Sequence, residues 1–302
     1  MTQYPKFPDF KELGIEDKVI FDEYFKRHPP TISEFTFTNL FMWRHYYNFK
    51  WAILNDNIAI MASPEEESYF FPPIGSNKIK ETVLECITYS ESTGSGGIMK
   101  RVPENVAKLF SDGDKIKTEL DRDASDYVYL LKNLVELQGS KYRSQRKSIK
   151  QFQRQHEFEY ASLTKEIVPG CLELQEDWCN VRACYDDPHL AGEDKAIFDA
   201  LSHFDILDFK GAVIIVEEKI KAFTMGEPLN AETLVVHIEK GSHEREFRGI
   251  YALINKLFLE NEWANFKYVN REQDTGEEGL RKAKMLYHPE FMVDKYILTR
   301  LK

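Results

Sequence analysis

Acidic and basic side chains are concentrated near the end of the sequence, in YVNREQDTGEEGLRKAKMLYHPE at positions 268–290. A strand-like run ends just before Glu272 and Asp274, either of which could act as a base toward a nucleophile. A helix-like segment follows, and its Arg281 and Lys284 are neighbours at a spacing of three. If the strand is central in an open sheet, its end predicts a ligand pocket. A salt-bridged corner that fixes the last helix explains the same residues equally well.

Two ring-bearing residues are further candidates for chemistry. Tyr287 ends the helix-like segment and could serve as a general acid, because its hydroxyl can donate a proton. His237 stands in the middle of the strand-like run VVHIE and could point into a cleft. A hydrogen-bonded core histidine fits the same position. The predicted catalytic residues are therefore Glu272, Asp274, Tyr287 and His237.

A basic segment, KYRSQRKSIKQFQRQH, interrupts this otherwise acidic sequence at positions 141–156. Four of its cations follow at steps of four, three and four, which places them on one stripe of a helix: Arg143, Lys147, Lys150 and Arg154. Like charges at this spacing repel, so an acidic group should face them. That group is either the protein's own carboxylates or a phosphate-bearing ligand, such as a cofactor tail, a tRNA end or a lipid head group.

A strand-to-helix junction, HIEKGSHEREFRGIYALIN, is a second candidate for phosphate binding. A helix that starts near Arg248 and Gly249 would present free backbone N–H groups and the positive end of its dipole. Gly249 would let another group approach the backbone closely. The predicted cofactor-binding residues are Arg143, Lys147, Arg248, Gly249, Arg281 and Lys284.

The composition limits the class of protein. The chain has 302 residues, of which 42% are hydrophobic, so it can form two domains with real cores. A net charge of −10 argues against binding nucleic acid or membranes through bulk charge. No segment reaches the roughly 20 apolar residues of a membrane span, and the start lacks a signal-peptide pattern. We therefore expect a cytoplasmic protein.

The four cysteines predict reduced thiols and no metal site. Three of them, Cys171, Cys179 and Cys184, cluster near His189 at a spacing that suits no standard zinc site. Because free cysteines are usually buried, we expect small core residues here.

Strand and helix patterns define the domains. KWAILNDNIAIMAS and KGAVIIVEEKIKAFTMGEPL each predict a β-hairpin. The second half follows the order β-β-β-α-β-α-β and ends in the strand-like run KYILTRL. We predict an α+β protein with two domains, 1–140 and 141–302, and a basic helix over 140–156 at or near their interface.

The strand order of the second half resembles the GNAT acyltransferase fold, in which the donor's pyrophosphate lies on the N-terminus of the helix that follows the fourth strand. EFRGIYA keeps Arg248, Gly249 and Ala252 of the usual Arg/Gln-x-x-Gly-x-Gly/Ala signature, without its full spacing. The resemblance implies that a backbone N–H of the third strand, around residues 235–238, faces the donor carbonyl.

Three longer segments resemble a bacterial family of unknown function related to the phosphatidylglycerol lysyltransferase C-terminal domain: ISEFTFTNLFMWRHYY, DYVYLLKNLVELQGSKYRSQRKSIKQF and NREQDTGEEGLRKAKMLYHPEFMVDKY. The resemblance covers the chain nearly end to end. It implies two tandem GNAT-like domains, each a mixed, mostly antiparallel sheet flanked by helices, similar to the Fem-type aminoacyltransferases.

The same resemblance implies an enzyme that moves an acyl or aminoacyl group from a coenzyme A thioester or an aminoacyl-tRNA to an amine or hydroxyl. The acceptor would be a small molecule, a peptide or a lipid head group. The alternative is a GNAT-like module that binds a phosphate-bearing ligand or an RNA end without chemistry. A continuous tunnel between the third and fourth strands of the second domain that reaches Glu272 would favour the enzyme. An open basic groove along residues 143–154 with no buried acid would favour the binding module.

Overall fold

The computed structural model describes residues 4–65 and 67–301, which form two compact units. The first unit runs to Asp126 and takes in Gln273–Gly276 and the chain from Met292 onward. The second unit comprises Tyr127–Glu272 and Glu277–Phe291. In the part of the chain that the structure describes, no helix is long and apolar enough to cross a membrane.

The first unit is built on one sheet with helices packed against it. Its strands are β1 (Lys11–Glu12), β2 (Lys50–Leu54), β3 (Asn57–Ala62), β4 (Tyr69–Phe70), β5 (Ile98–Pro103), β6 (Ile116–Leu120) and β14 (Lys295–Arg300). Its helices are α1 (Lys18–Arg27), α2 (Phe37–Met42), α3 (Arg44–Tyr47), α4 (Ile79–Ser92) and α5 (Glu104–Ala107). The strands lie in the order β1-β2-β3-β4-β5-β14-β6.

Local sequence explains how parts of this unit form. Asn55 and Asp56 adopt positive φ angles of 51° and 58°, as the two-residue turn of a hairpin requires, and the predicted β2–β3 hairpin is confirmed. The helical spacing of Val83, Cys86 and Ile87 turns one face of α4 toward the sheet. That face packs in a core with residues of β3, β4, β5 and β14.

Buried charges also hold the first unit together. Lys295 of β14 is fully buried, and its Nζ lies 2.6 Å from the carboxylates of both Glu34 and Asp126. Ser33 donates its hydroxyl to Asp126 over 2.8 Å, and Arg101 Nε lies 3.5 Å from Glu34. These charges are buried as pairs of opposite sign. Because breaking such a pair would leave a buried charge without compensation, the network holds β14 in the sheet.

The second unit has the same kind of architecture. Its strands are β7 (Asp126–Leu130), β8 (Glu159–Ser162), β9 (Lys210–Val216), β10 (Lys219–Pro228), β11 (Thr233–Gly241), β12 (Tyr268–Asn270) and β13 (Phe291–Val293). Its helices are α6 (Leu131–Glu136), α7 (Arg143–Gln155), α8 (Val168–Arg182), α9 (Pro188–Ser202), α10 (Ile250–Glu262) and α11 (Glu278–Met285). The strands lie in the order β8-β9-β10-β11-β12-β7-β13.

The core of the second unit lies where α7 and α10 pack against the hairpin of β9 and β10. Glu217 and Glu218 form its turn with φ angles of 50° and 62°, so this predicted hairpin is also confirmed. Ile149 and Phe152 of α7 join apolar residues of α10 in one cluster with Ile214 of β9. The predicted basic helix therefore exists and buries its apolar side.

The two sheets repeat one topology. In each, antiparallel strands lead to one parallel pair, β4–β5 in the first sheet and β11–β12 in the second. The strand after that pair comes from the other half of the sequence: β14 in the first sheet and β7 in the second.

This exchange of strands moves the domain limits away from the predicted boundary at residue 140. Residues 127–140 belong to the second unit, and the KYILTRL segment, predicted to complete the second domain, lies in the first sheet. The pairing of β14 with both β5 and β6, together with the buried contacts of Lys295, explains its position.

The cysteines differ from the expectation in one respect. Cys179, in the last turn of α8, forms a disulfide with Cys184, so the prediction of reduced thiols is wrong for this pair. Ala183 ends α8 in a left-handed conformation, with φ at 51°, and the two Cα atoms are 4.9 Å apart. Cys86 and Cys171 are buried free thiols, as the sequence predicts.

Candidate active site

The two parallel strands of the second unit separate at the candidate site. β11 and β12 pair from Thr233 opposite Tyr268 to Val235 opposite Asn270. β12 ends there, while β11 continues to Gly241. The side chains of β11 beyond Val235 therefore have no neighbouring strand on that side and meet the residues that follow β12. In open sheets such a separation of parallel strands is where ligands bind.

A β-bulge directs His237 into this gap. Met225 of β10 pairs with Ile238, but the next residue, Gly226, pairs with Val236, so His237 is an extra residue of β11. A Cβ atom on Gly226 would lie 2.4 Å from the Val235 carbonyl oxygen, so only glycine allows the strands to approach this closely. Bulges re-aim side chains and are common beside active sites.

The imidazole of His237 lies between two carboxylates. Nδ1 is 2.8 Å from Glu272 Oε1, and Nε2 is 2.9 Å from Glu227 Oε1. The His237 side chain is 1% exposed, against 8% for Glu227 and 17% for Glu272. Burial lowers the pKa of His237, but the hydrogen bonds with Glu227 and Glu272 outweigh it and raise the pKa to about 9. His237 is therefore a cation at neutral pH.

Backbone geometry fixes Glu272 at the end of β12. The buried side chain of Asn270 accepts a hydrogen bond from the Glu272 N–H over 2.8 Å. Glu272 itself has a φ of 57°, in the left-handed region that non-glycine residues rarely adopt. Such a conformation persists only where its surroundings hold it, and it is concentrated at functional sites.

A second ion pair spans the gap beside the first. Arg271 Nη2 lies 2.9 Å from Glu239 of β11, and Asn255 of α10 donates to the other oxygen of Glu239 over 3.0 Å. The Arg271 guanidinium also lies 4.9 Å from the ring centre of Tyr287. Burial is the main cause that raises the pKa of Tyr287 to about 12, although Arg271 opposes it. Tyr287 therefore keeps its proton at neutral pH.

The structure distributes the other charged residues of the 268–290 stretch between the two units. Asp274 is fully buried in the first unit, 3.3 Å from Arg122, and accepts a hydrogen bond from the Gly276 N–H. Lys284 of α11 donates to the backbone carbonyl of Arg271. Arg281 lies on α11 and is partly exposed. Glu272 and Asp274, only two positions apart in the sequence, thus have different surroundings.

The basic stripe of α7 is solvent-exposed. Arg143, Lys147, Lys150 and Arg154 are all exposed, and within residues 4–65 and 67–301 none of them forms an ion pair with a carboxylate. The opposite side of α7 is buried through Gln145, Ile149 and Phe152. Of the two explanations offered for the stripe, pairing with the protein's own carboxylates does not account for it.

Gly249 contacts protein at the position where the sequence predicts a phosphate. It stands before α10 with a φ of 105°, and a Cβ atom there would lie 2.4 Å from the Ser148 carbonyl oxygen of α7. The glycine is thus required for the close packing of α7 on α10. Arg248 beside it is exposed.

Two residues of the site escape sequence reasoning, namely Glu227 and Glu239. Glu239 contacts Arg271, 32 positions away, and Glu227 contacts His237 of the neighbouring strand across a bulge, so no local spacing reveals them. One signal is present for Glu227: a glycine inside a strand pattern, Gly226, marks a bulge or a close backbone approach.

Solved structures with this architecture define the class. The chain is similar to a tandem GNAT protein from the clavulanic acid biosynthesis pathway, with a TM-score of 0.50, 7% identity, and coverage of 96% of this chain and 97% of that one. It is also similar to L-PGS from Bacillus licheniformis, with a TM-score of 0.67, 13% identity, and coverage of 100% and 95%. The protein therefore has the α+β fold of two tandem GNAT-like domains.

The family can be stated as well. The profile described as phosphatidylglycerol lysyltransferase, C-terminal, matches residues 25–299, and the chain belongs to this family, as its resemblance predicts. A conserved protein of unknown function from Bacteroides thetaiotaomicron VPI-5482 is 30% identical, with a TM-score of 0.89 and coverage of 99% of this chain and 100% of that one. No curated protein matches the chain. Family and fold together indicate a GNAT-like aminoacyl- or acyltransferase class.

Proposed function

We propose that the second unit transfers an aminoacyl group from an aminoacyl-tRNA ester to an amine or hydroxyl acceptor. The observation that carries this proposal is the Glu272 carboxylate, held by His237 in the gap where β11 and β12 separate. A base, a donor for the oxyanion and an acid are what acyl transfer requires. This gap offers a candidate for each.

In the proposed step Glu272 takes the proton of the attacking amine or hydroxyl. The nucleophile bonds to the carbonyl carbon, and the carbonyl oxygen becomes an oxyanion that a backbone N–H of the bulge around residues 235–238 stabilises. When the intermediate collapses, the bond to the leaving oxygen breaks, and Tyr287 returns a proton to that oxygen. Tyr287 suits this role because it is protonated at neutral pH.

Three observations favour an aminoacyl ester over an acyl-coenzyme A thioester. The Ser148 carbonyl lies against Gly249, where the pyrophosphate of coenzyme A would be expected. The exposed stripe on α7 suits the repeated phosphates of an RNA end. The partly exposed carboxylate of Glu272 suits the ammonium group that an aminoacyl donor carries and an acyl chain lacks.

The donor is tested by binding. Filter binding with a mixture of aminoacyl-tRNAs, and competition with acyl-coenzyme A, should show salt-sensitive retention of tRNA. Reversing Arg143 and Lys147 together to Glu should weaken retention about tenfold or more, whereas the same reversal of Lys26 and Arg27 on α1 should not. Equal retention by both double variants would rule out the stripe as the RNA site.

The reaction is tested by transfer to a panel of amine and hydroxyl acceptors that includes small molecules, peptides and lipid head groups. Transfer that is lost in Glu272→Gln supports the proposed base. Retention of tRNA without transfer to any acceptor would favour the non-catalytic binding module instead.

A further inference from the structure

Glu227 is a buried carboxylate that takes no part in the transfer step above. It lies on β10, directly after the bulge, and its side chain is 8% exposed. A carboxylate buried to this extent is costly unless it is paired and hydrogen-bonded. Its Oε1 lies 2.9 Å from Nε2 of His237, the nitrogen on the side of the ring away from Glu272.

The two hydrogen bonds of His237 together constrain its protonation. A neutral imidazole carries one N–H, so one of its two carboxylate neighbours would face a nitrogen lone pair at less than 3 Å. Only the imidazolium can donate to both ionised Glu227 and ionised Glu272. With a neutral group in place of Glu227, the ring could lose the proton on Nε2 and still donate from Nδ1.

We propose that Glu227 is a positioning residue: its bond to Nε2 keeps His237 an imidazolium, and the imidazolium holds the Glu272 carboxylate through Nδ1–H at the end of β12. The part that concerns Glu272 as base rests on the proposed function. Glu227 does not contact the reacting atoms. It acts on Glu272 through the imidazole ring of His237. His237 is thus not a base, because its two nitrogens are both donors.

Carboxylates from two different elements lie against the His237 ring. Glu227 approaches from β10 and Glu272 from the segment after β12, while the next charges along the gap, Glu239 and Arg271, form their own pair. The first two carboxylates raise the pKa of His237 against the effect of burial. Removing the charge of Glu227 should therefore lower that pKa by about one unit or more.

Nitrogen NMR of the full chain with labelled histidine tests the proposal without any substrate. The His237 signals are those missing in His237→Asn. At pH 8 the wild-type ring should be protonated on both nitrogens, whereas in Glu227→Gln about half of the rings or more should be neutral and protonated on Nδ1 only. Glu232→Gln, an exposed site just before β11, is the matched control and should change nothing. A wild-type His237 that titrates near its ordinary value of about 6.5, or one unchanged in Glu227→Gln, overturns the proposal.

A second variant distinguishes the effect of the charge of Glu227 from the effect of the position of its carboxylate. Glu227→Asp keeps the charge but withdraws the carboxylate by one methylene, so His237 should stay protonated at pH 8 while its ring shifts. If transfer activity is found, both variants should lower kcat more than they change KM, and Glu227→Gln should also shift the pH profile of kcat. An unshifted profile overturns the link to Glu272. If His237 titrates near its ordinary value and transfer is active, only the positioning role is refuted. If the NMR result is as predicted but no transfer is found, only the proposed function is refuted.

Discussion

Gly249→Ala tests whether the glycine before α10 is a packing residue. The substitution meets two separate obstacles in the structure. An alanine at a φ of 105° lies outside the regions that L-residues prefer, at a cost of about 1–2 kcal/mol. Its Cβ would also lie 2.4 Å from the Ser148 carbonyl oxygen, so α7 or α10 must move. Forced displacement of packed elements costs about 1–3 kcal/mol.

The sum predicts a loss of about 2–5 kcal/mol in the free energy of unfolding. Two glycines of the same unit separate the contributions. Gly139 also has a positive φ, 85°, but open space around its Cβ, so Gly139→Ala should carry only the backbone cost of about 1–3 kcal/mol. Gly279 lies in α11 with neither obstacle, so Gly279→Ala should be neutral or stabilising by up to about 1 kcal/mol.

Urea unfolding followed by circular dichroism, with intrinsic fluorescence as a second probe, measures all three variants on one scale. The reasoning requires the order Gly249→Ala, then Gly139→Ala, then Gly279→Ala, from most to least destabilised. If Gly249→Ala costs no more than Gly139→Ala, then α7 does not press on Gly249. In that case the N-terminus of α10 is open to a ligand after all, and the preference for an aminoacyl ester over coenzyme A loses one of its three supports.

The remaining predictions concern buried charge. Lys295→Met should cost about 3–5 kcal/mol of unfolding free energy, because it removes a buried cation that two buried carboxylates share, whereas the exposed Lys117→Met should stay within about 0.5 kcal/mol; equal urea midpoints would contradict the network. The folded-state pKa of His237, about 9, exceeds its unfolded value of about 6.5. Its pairing therefore stabilises fully below about pH 6.5 and is lost as pH rises through 9, so urea midpoints that do not fall over this window would disprove the pairing. Glu272→Gln should lower kcat about 10²–10⁴-fold with only a small loss of stability, because the amide oxygen still accepts from Nδ1–H; a variant with wild-type kcat would exclude Glu272 as the base.

The features that follow from local spacing were predictable. The basic stripe of α7 and the two hairpins depend on residues within a few positions of one another, and each is present. The features that depend on pairing between distant strands were not predictable. Glu272 and His237 each carry a recognisable side chain, but 35 positions separate them, and only the end of β12 beside β11 brings them together.

The boundaries of the two units could not be predicted from the sequence for the same physical reason. Which strand lies next to a parallel pair depends on its hydrogen bonds to the neighbouring strand and on its burial in the sheet. Neither property can be recognised from the local sequence of the strand. From the sequence, β7 and β14 are therefore each assigned to the half of the chain in which they occur. Asp274, two residues after Glu272, lies in the other unit because the chain crosses between units at Gln273.

The repeated topology gives a reason to expect the reaction in the second unit. In both sheets an arginine follows shortly after the parallel pairing ends, Arg101 two residues after Met99 and Arg271 one residue after Asn270, and each contacts a glutamate.

The charges around the two arginines nevertheless differ. In the first sheet Lys295 adds a second cation, so the two carboxylates, Glu34 and Asp126, are balanced by two cations inside a buried cluster. In the second sheet the carboxylates of Glu227 and Glu272 contact His237, and that of Glu239 contacts Arg271. Glu272 is also more accessible than the carboxylates of the first cluster: its side chain is 17% exposed, against 9% for Glu34 and 0% for Asp126, so a substrate ammonium can approach it at the end of β12. We therefore expect ligand-induced stabilisation by amine-bearing donors to disappear in Glu272→Gln and to survive Lys295→Arg, which keeps the charge of the first cluster.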